Sequence, residues 1–129
     1  MRKRFSNESE MKAVAKELKR FLELLKTSVF FVEGKRDAGA LRKAGILDTV
    51  EISGKLKSAC EKCAAERVIV LTDLDESGDE LAFLAKEELE RYGIMADIEL
   101  RKRIGAILNL RFFEEFHKKL EKVNEEIKY

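Results

Sequence analysis

Proline and tryptophan are absent from this chain, cysteine occurs twice and histidine once. The lack of Pro and Trp, beside abundant Lys and Glu, gives a composition of the kind thermophilic proteins show. No apolar run reaches the ~18 residues of a membrane span, and no charged-then-apolar leader opens the chain. Neither a membrane span nor secretion is therefore expected, and the expected location is the cytoplasm. The single Cys-x-x-Cys, Cys60 to Cys63, has the spacing of a redox or zinc site but lacks a second Cys pair, and His117 is the lone His. On a helix Cys60 and Cys63 share a face with Leu56 and Ala64, which reads as core packing of small apolar side chains. A net charge of +1 excludes a strong global attraction to nucleic acid, so any such binding depends on local patches. Internal repeats and low-complexity segments are missing as well.

What is present is one domain's worth of chain, 129 residues, with 45% hydrophobic and 40% charged residues, the profile of a folded globular protein. Its organising stretch runs from Arg67 to Gly78. Val68 to Leu71 is an unbroken aliphatic run, as in a parallel strand covered on both faces. The run ends at Asp73 and Asp75, whose side chains project the same way on an extended chain. A second such run, Ser28 to Val32, ends in Glu33-Gly34, with Asp37 near the start of the next helix. An Asp after a strand is commonly a helix cap. Two buried strands ending in acids, however, gather three or four carboxylates at one sheet edge, where repulsion is costly unless a cation neutralises it.

The rest of the chain fits an α/β fold. Ser6, Asn7 or Ser9 caps a helix to about Leu25, after a short basic arm, Met1 to Arg4. Helices follow over about Arg36 to Ala44, Lys57 to Ala65 and Glu80 to Arg91, with further strands at Thr49 to Ile52 and Met95 to Leu100. This βαβαβαβ order predicts a four-stranded, mostly parallel sheet between helices, a three-layer Rossmann-like arrangement. Residues 101–111 carry four bases and no acid and read as a basic loop, followed by an amphipathic helix over Phe112 to Ile127. The apolar faces of the first and last helices either close the core or join a partner or a second copy.

The motifs Val32-Glu33-Gly34-Lys35-Arg36-Asp37 and Thr72-Asp73-Leu74-Asp75-Glu76-Ser77-Gly78, in this order and at two strand ends, resemble the Toprim domain. That domain is shared by topoisomerases, bacterial-type primases, the nuclease that matures 5S ribosomal RNA, OLD-type nucleases and recombination-mediator proteins. The resemblance covers about residues 28 to 100, flanked by a helical extension at 1–27 and the basic segment and helix at 101–129; it is nearest to small stand-alone Toprim proteins. It implies that Glu33, Asp73 and Asp75 form a catalytic and metal-binding set for Mg²⁺, with Mn²⁺ as a substitute, in which Glu33 either shares the metal or acts as general acid/base, the role the family gives it. Asp37 would support the cluster from behind. Ser77 stands where topoisomerases usually carry a further acid, and there is no sign of an active-site Tyr domain, so topoisomerase activity is not expected. The domains a primase adds for template and zinc binding are missing too.

Three functions follow. The first is Mg²⁺-dependent phosphodiester chemistry, in particular cleavage of structured RNA or DNA, with Lys35, Lys55, Arg101, Lys102, Arg103 and Arg111 as contacts to the phosphate backbone. The second is a non-catalytic nucleic-acid-binding, assembly or primase-accessory module that retains the metal site. The third is an aspartyl-phosphate enzyme with Asp73 as nucleophile, against which Glu33-Gly34 on a neighbouring strand speaks.

Overall fold

The computed structural model describes Phe5 and residues 7–127; the basic arm Met1 to Arg4 and Ser6 lie outside these. Eleven elements follow in order: α1 (Glu8–Thr27), β1 (Val29–Val32), α2 (Lys35–Lys43), β2 (Thr49–Glu51), α3 (Leu56–Lys62), β3 (Arg67–Leu71), α4 (Glu76–Arg91), β4 (Met95–Asp97), α5 (Leu100–Leu108), a 3-10 turn (Phe113–Glu115) and α6 (Phe116–Ile127). The four strands form one parallel sheet in the order β2-β1-β3-β4. Alternation along the central strands divides the core into two layers. Phe30, Val32, Ile69 and Leu71 face α1, α2, α5 and α6, whereas Phe31, Val68 and Val70 face α3 and α4. Both faces are covered, which is why β1 and β3 read as continuous apolar runs rather than alternating ones.

Asn7 is the cap of α1, its side chain accepting the Glu10 N–H at 2.7 Å. The apolar faces of the terminal helices close the core: Leu18, Phe21 and Leu25 of α1 and Phe116, Leu120 and Val123 of α6 are buried in one cluster with the β1 and β3 side chains. Cys60 and Cys63 are free thiols. Burial pushes the Cys60 thiol up to about 11, leaving it an inert core group at neutral pH.

Several boundaries differ from the sequence expectation: α3 ends at Lys62 rather than Ala65, and the last helix starts at Phe116 rather than Phe112, after a 3-10 turn. Helix α4 starts at Glu76 rather than Glu80, because the Asp75 carboxylate accepts the Gly78 N–H at 2.7 Å and caps it. Strand β4 stops at Asp97, whose carboxylate accepts the N–H groups of Glu99 and Leu100 at 2.9 and 3.0 Å and so turns the chain into a helix. The largest correction follows from that turn. The basic segment expected as a loop is helix α5, which buries Arg101, Ile104, Gly105 and Leu108 along one face. The periodic apolar positions win over the charges between them, because packing against β3 removes that face from water.

Candidate active site

In this sheet the chain leaves β1 towards β2 on one side and leaves β3 towards β4 on the other. Between those two strands lies the switch point, where open α/β sheets form a crevice beyond the strands' carboxyl ends. Val32 pairs with Leu71, so Glu33 and the Thr72-Asp73 turn emerge side by side into that crevice. The two motif ends are joined directly: the Asp73 N–H donates to Glu33 Oε1 at 3.1 Å. Ser53, after β2, reaches the same edge and donates its N–H to the Glu33 carbonyl at 3.1 Å.

Each of the other three acids also has one oxygen tied to backbone. Asp73 Oδ1 accepts the Phe113 N–H at 2.8 Å, Asp75 Oδ1 that of Gly78, and Asp37 Oδ2 that of Gly34 at 3.0 Å. These bonds fix the carboxylates without neutralising them. Burial pushes the Glu33 pKa up, and repulsion from Asp73, Asp37 and Asp75 adds to it, against the bond from the Asp73 N–H. Asp37, itself buried, is raised to about 6 by burial first and then by the charges of Asp73 and Glu114. Asp73 is raised in the same way, by burial and then by Asp75 and Glu114, with the Phe113 N–H and the Arg101 guanidinium opposing. Desolvation and like charge both disfavour the ionised cluster, which is the condition a cation relieves.

The donor set decides which cation. Every nearby ligand atom is a carboxylate oxygen, which suits Mg²⁺ or Mn²⁺ rather than a soft metal. Among the described residues no three His, Cys, Asp or Glu side chains make a ready-formed cage. Mg²⁺ does not require one, since it keeps several waters and takes one or two carboxylates plus substrate phosphate. The residues present fit such an ion.

Sequence reading missed the scaffold behind the acids. Thr72 is buried and its hydroxyl donates to the Gly78 carbonyl at 2.6 Å, closing the turn. Gly78 lies so near Asp73 that a Cβ there would run into the Asp73 carbonyl. Arg101, expected as a phosphate contact on a solvated loop, is instead 2% exposed. It donates to the Thr72 carbonyl at 3.1 Å, the Asp73 carbonyl at 2.8 Å and Asp79 at 2.6 Å. A guanidinium spent on three acceptors and shut off from solvent is a brace for the Asp73 turn, not a grip on phosphate. Its spacing to Ile104 and Leu108 is the signal that would have found it. The segment after α5 belongs to the site too, because the Leu74 N–H donates to the Arg111 carbonyl at 2.7 Å beside the Phe113 bond. Glu114 joins the acids through that segment.

The remaining expected contacts are scattered. Lys35 is exposed at the first position of α2, beside Glu33-Gly34, and Lys55 is exposed after β2 at the same sheet edge. Exposed Arg111 lays its guanidinium over the Phe112 ring at 5.3 Å, next to the Asp73 turn. Lys102 and Arg103 pair instead with Glu99 and with Glu17 on α1, not with any of the four acids. His117 is half-buried on α6 and meets Glu121 at 3.1 Å.

A parallel α/β sheet with an all-oxygen acidic centre at its switch point defines a class of phosphate-handling, divalent-cation domains. The chain belongs to the Toprim domain family, whose model matches residues 28–114. The match runs through the 3-10 turn that holds Asp73, beyond the boundary at about residue 100 expected from the strands. A UPF0292 protein of Archaeoglobus fulgidus is 31% identical over 97 residues, covering 75% of this chain and 72% of that one. Another from Thermococcus gammatolerans is 36% identical over 101 residues, covering 72% of this chain and 76% of its own. A solved protein from Aquifex aeolicus matches with a TM-score of 0.63 at 32% identity over 86% of this chain and 99% of that one. Family membership assigns the chain a metal-dependent function connected with nucleic acids. Among the described residues no helix is long and apolar enough to cross a membrane.

Proposed function

We propose that this protein is a Mg²⁺-dependent nuclease-like Toprim domain that cleaves phosphodiester bonds in structured RNA or DNA. The observation that carries the reading is the direct junction of Glu33 and Asp73 at the switch point, inside a carboxylate cluster that burial and mutual repulsion leave uncompensated. Asp73 and Asp75 would hold the metal, with Asp37 behind and Glu33 beside it as the proton carrier. Bound there, the ion would neutralise phosphate charge and orient the phosphate for in-line displacement. Glu33, its pKa raised by burial and then by its acidic neighbours, has the character of a proton carrier. One oxygen receives the Asp73 N–H, leaving the other to take or give the proton at the reacting oxygen. Lys35 and Arg111, exposed on either side of the acids, would bear on the flanking phosphates.

The test is cleavage of a pool of structured RNA and DNA during Mg²⁺ and Mn²⁺ titration. Glu33→Gln keeps an oxygen for the Asp73 N–H and removes only the proton carrier, so cleavage should fall about 100-fold or more. The Asp73→Asn, Asp75→Asn double variant should abolish it. Metal-dependent cleavage that survives in both variants refutes the reading. A second reading, a nucleic-acid-binding module without turnover, is favoured by Ser77 at the position of a further acid. It predicts metal binding with no cuts in the pool.

A further inference from the structure

Helix α2 and the segment formed by the 3-10 turn and α6 enclose a groove of about 520 Å³. Arg36, Gly39 and Lys43 line one wall, and Glu114, Glu115 and Lys118 line the other, so three cations face two acids. The α2 positions fall three, four and seven residues apart, so they share one helix face. Helix α2 carries four cations, Lys35, Arg36, Arg42 and Lys43, all exposed. Its single acid, Asp37, is buried in the carboxylate site instead of balancing them at the surface. Glu114 on its wall also lies near enough to that site for its charge to bear on Asp37 and Asp73. Arg36 is held by Glu114 at 3.8 Å with 88% of its side chain exposed. Such a solvated pair contributes little and gives way to a competing phosphate.

We infer that this groove, between α2 and α6, is the track for the nucleic-acid backbone as it leaves the carboxylate site, with Arg36, Lys43 and Lys118 on consecutive phosphates. The inference rests on the nucleic-acid reading above and gives it a direction. The strand runs over the α2–α6 side of the domain, and the cations of α5 lie off its path. Gly39 forms open floor, since a Cβ added there meets no atom within 4 Å. No side chain at that position stands between the two walls.

The experiment measures binding and cleavage separately. Binding is read by anisotropy of a labelled RNA hairpin with a single-stranded tail and of the matching DNA, with Mg²⁺ present and in the Asp73→Asn, Asp75→Asn background, which cannot cut. Adding Arg36→Gln, Lys43→Gln and Lys118→Gln should weaken binding at least tenfold, and should reduce the slope of log affinity against log salt by about 2, at ~0.7 per phosphate contact. Gly39→Glu, which the open floor accommodates, should weaken binding comparably while the melting temperature stays level or rises. The arm with the higher affinity, RNA or DNA, identifies the substrate class. If both sets of groove variants bind within twofold of their parent with unchanged slope, or if the parent binds neither oligonucleotide, the groove assignment is wrong. Wild-type cleavage that persists alongside normal binding by the groove variants overturns the groove and leaves the cleavage reading intact. Binding lost through the groove, in a wild type that never cuts, keeps the groove and removes the cleavage reading.

Discussion

Helices α2 and α5 are each nine residues long, carry four and three cations, and each lead away from the same sheet edge. They do opposite things with their charge. Helix α2 turns its only acid inward and leaves four cations in water. Helix α5 buries Arg101 under the Asp73 turn and places Lys102 and Arg103 next to Glu99 and Glu17. A run of basic residues therefore predicts a nucleic-acid surface only after its ion-pair partners are known. The contrast also separates two settings of arginine: one guanidinium organises backbone carbonyls, the others stay in water.

The sharpest way to break the contrast is to remove Arg101. Arg101→Met leaves the Thr72 and Asp73 carbonyls without their donor and Asp79 without its partner, at a cost of about 2–4 kcal/mol. For a domain of this size the melting temperature should drop by roughly 10 °C. Lys in its place should recover little, because an ammonium cannot reach both carbonyls and Asp79 in the fixed fork that Arg presents. Scanning calorimetry of the two variants checks this. A loss below about 0.5 kcal/mol would mean that Arg101 is an ordinary surface charge and that the two helices do not differ.

The next effect concerns the acid that α2 hides. The folded-state pKa of Asp37 is raised to about 6, above its value of 3.8 in an unconstrained chain. Between those two values the folded protein keeps a proton that the unfolded chain has released, so stability falls as pH rises through the window and the penalty is complete above it. Asp37→Asn can still accept the Gly34 N–H and carries no charge. It should match wild type near pH 4 and exceed it above pH 6 by about 1 kcal/mol, a value discounted for the water that still reaches the sheet edge. Thermal melts of both proteins across that range supply the measurement. A constant difference at every pH would show that burial of the charge is not what raises the group.

Much of this was legible in the sequence because it rests on short-range pattern. The apolar runs of β1 and β3, the Glu-Gly and Asp-x-Asp ends, and their meeting at one edge follow from side-chain alternation and parallel pairing. The sequence reading fell short where a residue's role depends on a partner far along the chain. Arg101 braces a turn 28 residues before it, and Phe113 reaches Asp73 across 40. No local periodicity encodes those bonds. What local pattern does contain is the burial of Arg101, at helical spacing from Ile104 and Leu108, and charge density alone outweighed that cue. Likewise Asp75 reads both as a metal ligand and as a cap; it is a cap with one oxygen, and the other is left for the site.

The smallest expected effect gives the contrast its control. Lys102 and Arg103 are exposed, and their pairs with Glu99 and Glu17 are of the solvated kind that contributes about 0–1 kcal/mol. Replacing both with Gln should leave the melting temperature nearly unchanged. If the backbone follows the α2–α6 groove, oligonucleotide affinity should also stay within about twofold, because the field of two distant cations is screened by salt beyond ~10 Å at 0.1 M. The same anisotropy titration at two salt concentrations decides the matter. A loss equal to that of the groove variants would place phosphates on α5, and the partners Glu99 and Glu17 would then be gates that nucleic acid displaces rather than neutralising neighbours. A flat response identifies exposed cations on α2, not basic composition as such, as the determinant of where the strand lies.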